Sequence, residues 1–246
     1  PDVALKALQK NIALRPDDSR GVLALANAYR QLERMPEARE QIKRYTELEP
    51  TNAVGFMHLA HASNSLGDSE TERAALKKAL ELDPNFHAAI GIYFNLTDGE
   101  HDPAKEQELA SWAANSKSWM GFLIASSIAR TRGDNESSLR LADRAYEIAP
   151  TAEEVLLHLS AVLGEAKEIA RLTSQIRPAI ESRQYSPRLD WNFAQTLFSL
   201  GFRDEAAGVL RRRLGDPNAP DDFKAMASAT LEAWSGVLTG SGVPIE

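Results

Sequence analysis

The sequence predicts an all-α fold, a right-handed superhelical solenoid of antiparallel helix pairs, on three observations. First, Pro16, Pro50 and Pro84 recur at 34-residue intervals and close similar phrases, "IALRP", "TELEP" and "LELDP". A period of about 34 residues is the length of one helix–turn–helix unit. Second, small and large apolar residues return at fixed places within that period. Third, Gly67, Gly133 and Gly201 all fall at its fifteenth position, where a first helix must end and the chain must turn.

The composition suits such a fold. The 246 residues carry a net charge of −7, are 43% hydrophobic and include no cysteine. Disulfides, thiolate chemistry and cysteine zinc sites are thereby excluded. An acidic chain lacks the strongly basic face that nucleic acid demands, so nucleic acid is not expected as a partner. No apolar run approaches the ~18 residues of a membrane span. The lack of cysteine leaves the compartment open, with the cytoplasm favoured.

The elements follow in order. A proline stops a helix because it disfavours the helical conformation before it and has no N–H. Pro150 closes a fourth phrase, "YEIAP", 66 residues after Pro84. After these prolines Thr51, Asn52, Asn85 and Thr151 can cap the next helix. Thr151 with Glu154, and Ser69 with Glu72, read as capping boxes. Repeats are expected at 19–52, 53–86, 87–118, 119–152, 153–186 and 187–220. Residues 1–18 fit the second helix of a partial repeat, with Ala4 and Leu8 in register. The fourth position reads Val22, Phe56, Ile90, Phe122, Leu156, Asp190; the eighth reads Ala26, Ala60, Phe94, Ser126, Ser160, Ala194.

The third repeat has "DGEHDP" in place of a glycine turn. In the fifth, Gly164 arrives early and Pro178 falls inside the second helix, which predicts a shortened or kinked pair. Phe223, Met226, Ala227, Thr230 and Trp234 form one stripe, expected as a capping helix over 221–236. The helical-repeat domain thus covers 1–236. Residues 237–246, rich in glycine and serine, read as a linker or the start of a further region.

The unit "GVLALANAYRQLERMPEAREQIKRYTELEP" places Leu25, Tyr29, Ala38, Ile42 and Pro50 on the pattern W-x2-L-G-x2-Y…A-x3-F…P. "GFMHLAHASNSLGDSETERAALKKALELDP" matches nearly as well. The chain therefore resembles the tetratricopeptide-repeat family over roughly residues 2–236. The resemblance implies a concave face lined by first helices, through positions two, five, nine and twelve. Helix geometry puts the last three on one face, being spaced by four and three.

Position five supplies Leu23, Met57, Leu123 and Trp191. Position nine supplies Asn27, His61, Asn95 and Gln195. Position twelve supplies Arg30, Asn64 and Arg130, with Asp98 in the third repeat. Apolar side chains can take a ligand's side chains, while amides can bond an extended peptide backbone in either sense. These residues are the expected peptide- or protein-binding set.

A family subclass grips a carboxylate with a Lys/Asn/Arg clamp. Asn27 matches it, but Leu23, Ala88 and Ile92 stand where the clamp's cations belong, which excludes the subclass. His58 and His61 lie a turn apart, yet zinc needs three or four ligands and His87, His101 and His158 are not spaced to complete a set. "RRR" at 211–213 reads as the solvated end of a helix, where cations complement the dipole. There is no phosphate loop, nucleophile elbow or His-Glu-x-x-His. No cofactor, metal or catalytic residue is expected. The reading is a protein-interaction scaffold; the alternative is a docking or regulatory module of a larger enzyme whose catalytic domain lies outside this chain.

Overall fold

A computed structural model describes residues 2–95 and 103–239, with side chains described for 3–95 and 103–235. Asp98, His101 and the stretch 240–246 lie outside the described residues. Among those described, every regular element is helical. The chain divides into two compact units, Pro1–Gly121 and Phe122–Glu246.

The first unit holds α1 (Asp2–Leu14), α2 (Ser19–Gln31), α3 (Met35–Leu48), α4 (Ala53–Asn64), α5 (Ser69–Leu82), α6 (His87–Tyr93) and α7 (Pro103–Ser116). Helix α8 (Trp119–Thr131) begins in it. The second unit continues with α9 (Asn135–Ile148), α10 (Glu153–Glu165), α11 (Ile169–Arg171), a π-helical turn (Leu172–Ile176), α12 (Arg177–Ser182), α13 (Pro187–Ser199), α14 (Arg203–Leu214) and α15 (Asp221–Thr239).

The prolines act as the sequence implies. Helices α1, α3, α5 and α9 end at Leu14, Leu48, Leu82 and Ile148, each two residues before its proline. Turns between paired helices use left-handed backbone at Gly67, Gly133 and Gly201. Glu33 and Lys167 hold the same fifteenth position with φ of 58° each, although neither is glycine.

Caps need correction. Asn52 accepts from the Val54 and Gly55 N–H groups at 3.0 and 3.2 Å, so Asn52 and not Thr51 caps α4. Asp68, rather than Ser69, caps α5 by accepting from Thr71 N–H at 3.1 Å. Asp134 does the same for α9. Each aspartate is held below the usual carboxylate range, first by the backbone N–H and then by the hydroxyl it receives. The α10 N-cap is Ala152, without a side-chain bond, so Thr151 forms no capping box. Asn85 bonds elsewhere: its Oδ1 accepts from the Met120 N–H at 3.1 Å, at the start of α8.

Close helix approach explains the small residues. A Cβ on Gly55 would meet the Tyr45 ring at 2.9 Å, and one on Gly121 would meet Ala113 at 2.8 Å. Gly164 is not an early turn: it lies inside α10, where a Cβ would meet Thr196 Cγ2 at 2.3 Å. The turn follows at Lys167, in its regular place.

The fifth pair departs as the proline predicts. Pro178 cannot donate to a helical ladder, and its ring would crowd the carbonyl four residues back. The π turn ends at Ile176, two residues before Pro178, so the irregular stretch of the ladder lies directly before the proline, where a missing N–H and a crowding ring have to be accommodated. Leu172 and Ile176 remain fully buried. On α15, Phe223, Ala227 and Trp234 are buried and Trp234 stacks on Phe198 at 4.2 Å, whereas Met226 faces out.

Candidate functional site

In the first unit, α4, α5 and α6 enclose an open cleft of about 840 Å³. Met57, His61 and Asn64 reach it from α4, on one face because they are spaced by four and three. Glu72, Arg73 and Leu76 reach it from α5. His87, Ala88, Gly91, Ile92 and Tyr93 come from α6, followed by Asn95. Helix α6 has only seven residues, against thirteen in α2. By position in the 34-residue period, His61 and Asn64 correspond to Asn95 and Asp98, both beyond the end of α6. Asn95 follows with left-handed backbone, at φ 51°.

The floor is apolar and firm. Met57 and Leu76 are buried, while Ile92 is 40% exposed. Tyr93 is fixed on both sides: Phe94 meets it edge-on at 5.1 Å, and the Arg73 guanidinium lies 4.7 Å over its ring. Phe94 packs in turn on Trp112 at 5.3 Å. The rim is polar. Asn64 donates to Glu72 at 2.9 Å, and Lys105 donates to the Asn95 carbonyl at 3.0 Å.

Four residues expected from sequence thus meet: Met57, His61, Asn64 and Asn95. Three others share the unit without lining the cleft. Leu23 is half-buried against the cluster around Leu25 and Tyr29. Asn27 and Arg30 are exposed, with Arg30 donating to Asn27 at 3.4 Å. His58 is half-buried, and its basicity is lowered first by burial and then by nearby Arg30 and His61. Glu72, Arg73, His87 and Tyr93 were not expected, because the family pattern concerns set positions on first helices and the end of α6 is set by packing. The substitution of "DGEHDP" for a glycine turn is the one signal pointing there.

The remaining expected residues lie in the second unit. Leu123 is 7% exposed, within the interior. Arg130 is engaged by Glu165, with Nε bonds at 2.8 and 2.9 Å and a third bond at 2.6 Å. Trp191 packs against the core and its indole N–H has no hydrogen-bond partner. Gln195 is half-exposed.

A serine–histidine contact in this unit invites a catalytic reading that its bonding rejects. Ser126 Oγ lies 2.7 Å from both the Ser138 carbonyl and His158 Nε2. The carbonyl can only accept, so the hydroxyl proton goes there and His158 donates from Nε2. The histidine is therefore not poised to take a proton from Ser126, which is itself fully buried. Burial, reinforced by Arg130 and opposed by Glu165, lowers the His158 pKa to about 4.

Stacked helix pairs around such a cleft define a helical-repeat scaffold of the protein-interaction class. Comparison with known proteins finds that residues 20–52 and 55–86 each match the tetratricopeptide repeat. The chain carries tetratricopeptide repeats. It aligns with a chain of the APC/C hetero-tetramer Cut9–Hcn1 over 94% of its own length and 45% of the other, at 15% identity and a TM-score of 0.50. It aligns with pilF of Pseudomonas aeruginosa over 86% and 97%, at 12% identity and a TM-score of 0.47. With PilW, a type IV pilus biogenesis factor, the figures are 85%, 97%, 12% and 0.48. At such identities the Cut9–Hcn1 likeness supports the fold alone. No curated protein matches the chain significantly. Among the described residues, no helix is long and apolar enough to cross a membrane.

Proposed function

We propose that the chain is a non-catalytic scaffold whose first unit takes a peptide segment of a partner protein between α4, α5 and α6. The cleft carries this reading: a firm apolar floor of Met57, Leu76, Ile92 and Tyr93 beside amide and imidazole groups from Asn64, Asn95 and His61. Apolar positions accept side chains, and amides answer a peptide backbone. Asn27, Arg30 and Leu23 on α2 offer further contacts within the same unit. Leu123 is turned into its core and Arg130 is engaged by Glu165, so neither takes part in this reading. The net charge of −7 favours a protein over nucleic acid as partner.

A phage-displayed peptide library selected on the whole chain tests it. Selected peptides should bind with micromolar dissociation constants, about −8 kcal/mol. Ile92→Asp and His61→Ala should weaken them at least fivefold with unchanged circular dichroism. Lys77→Ala, exposed on α5 outside the cleft, should leave them unaffected. Peptides that ignore the cleft variants and respond to Lys77→Ala would move the site to another surface.

A further inference from the structure

The cleft's charge is at odds with the rest of the molecule. The chain is acidic, with 35 Asp and Glu against 28 Lys and Arg. Yet the described side chains lining the cleft include one carboxylate and three cationic or protonatable groups, Arg73, His61 and His87. That carboxylate, Glu72, already accepts from Asn64 at 2.9 Å. Arg73 forms no ion pair among the described residues; Tyr93 holds its guanidinium by the ring face, which leaves its N–H edge available. A guanidinium held over an aromatic ring by its charge spends none of its N–H groups there, and a carboxylate can take two of them at once, the contact in which arginine binds most selectively. Beyond His61 the positive character continues to Arg30, which lies close enough to help lower the basicity of His58.

Resting on the peptide-cleft reading, we propose that the occupant is an acidic segment. One large apolar side chain would sit on Met57, Leu76 and Ile92, and a neighbouring carboxylate would meet Arg73 beside Tyr93. The complementarity is local, so it selects sequence rather than attracting acidic proteins in general, which the chain's overall charge repels. His61 and His87 flank the same space and provide donors for a second acid.

Fluorescence anisotropy on the whole chain tests this with three labelled octapeptides. Each has a central Leu-Phe pair, flanked by Glu, by Gln or by Lys. The Glu peptide should bind at least fivefold more tightly than the Gln peptide, and its affinity should fall as salt rises from 50 to 300 mM. Arg73→Gln should abolish the preference for Glu over Gln, so that the ratio of the two affinities falls to about one, while Arg73→Lys should keep part of that preference. If the Glu and Gln peptides bind equally and Ile92→Asp weakens both, the cleft reading survives and the charge assignment is overturned. Tighter binding of the Lys peptide overturns it as well. If no peptide responds to Ile92→Asp, both readings fall.

Discussion

In the first unit α6 stops after seven residues and a cleft remains beside α4 and α5; in the second unit the helix after α10 is interrupted by a π turn and the space stays filled. Both regions break the repeat, and both breaks are written in the sequence, as "DGEHDP" and as Pro178. What separates them is what the neighbouring side chains do. Around the π turn, Leu172, Ile176 and Ile180 point inward and join Leu156, Leu159 and Phe193 in one buried cluster. Beside α6, Ile92 is left 40% exposed and the last turn of α4 is polar. Among the described residues, the departure that leaves a cleft is the one whose neighbouring apolar side chains do not fill the space.

The sharpest way to break this comparison is to truncate an apolar residue in each region. Leu172→Ala should destabilise the second unit by ~2–5 kcal/mol, because a fully buried leucine leaves a cavity. Ile92→Ala should cost less than about 0.5 kcal/mol, as surface changes do. Urea denaturation of both variants measures the difference. Equal losses would mean that the cleft is closed in solution and that the two regions are packed alike.

The two regions also treat histidine differently. His61 stands exposed at the cleft, whereas His158 is largely buried, bonded to Ser126 and close to Arg130 and Glu165. Folded His158 stays neutral until pH falls to about 4, while its ordinary value is 6.5. Between those values the unfolded chain binds the additional proton. Stability is therefore fully present above 6.5 and is lost as pH falls toward 4, by on the order of 1–3 kcal/mol. His158→Gln retains a donor for Ser126 and cannot titrate. Its urea midpoint should fall less between pH 7 and pH 4.5 than that of the parent chain. Parallel losses in the two proteins would show that His158 is not the group responsible.

Much of this architecture is legible in the sequence because it is local. Proline cannot continue a helix and glycine turns without strain, so Pro16, Pro50, Pro84 and Pro150 and the three turn glycines mark helix ends directly. Met57, His61 and Asn64 follow from helical spacing alone. Other features depend on what lies across a contact. Gly164 looks like a turn glycine until Thr196 is seen against it. Asp68 caps α5 one place earlier than the Ser69–Glu72 pattern suggests, and Thr151 makes no cap at α10, because a side chain caps only where the backbone N–H groups of the first turn come within its reach. Arg73, His87 and Tyr93 line the cleft from places that the family's first-helix positions do not mark, and nothing in their own spacing announces it.

The turns allow the finest comparison. Five paired helices turn through a left-handed residue at the same position: glycine at 67, 133 and 201, but Glu33 in the first unit and Lys167 in the second. A side chain with Cβ in that conformation costs roughly 1–2 kcal/mol, partly offset by glycine's greater freedom when unfolded. Neither Glu33 nor Lys167 forms a side-chain ion pair among the described residues, so glycine removes strain without removing a partner. Glu33→Gly and Lys167→Gly should each stabilise the chain by about 0.5–1 kcal/mol. Gly133→Ala, in the same conformation, should destabilise it by about 1 kcal/mol. Thermal and urea unfolding read all three. If Lys167→Gly stabilises and Glu33→Gly does not, the strain is specific to the turn leading into the π-helical pair. If both stabilise equally, the turns obey one backbone rule in the two units, and the regions differ only in how side chains fill the space around them.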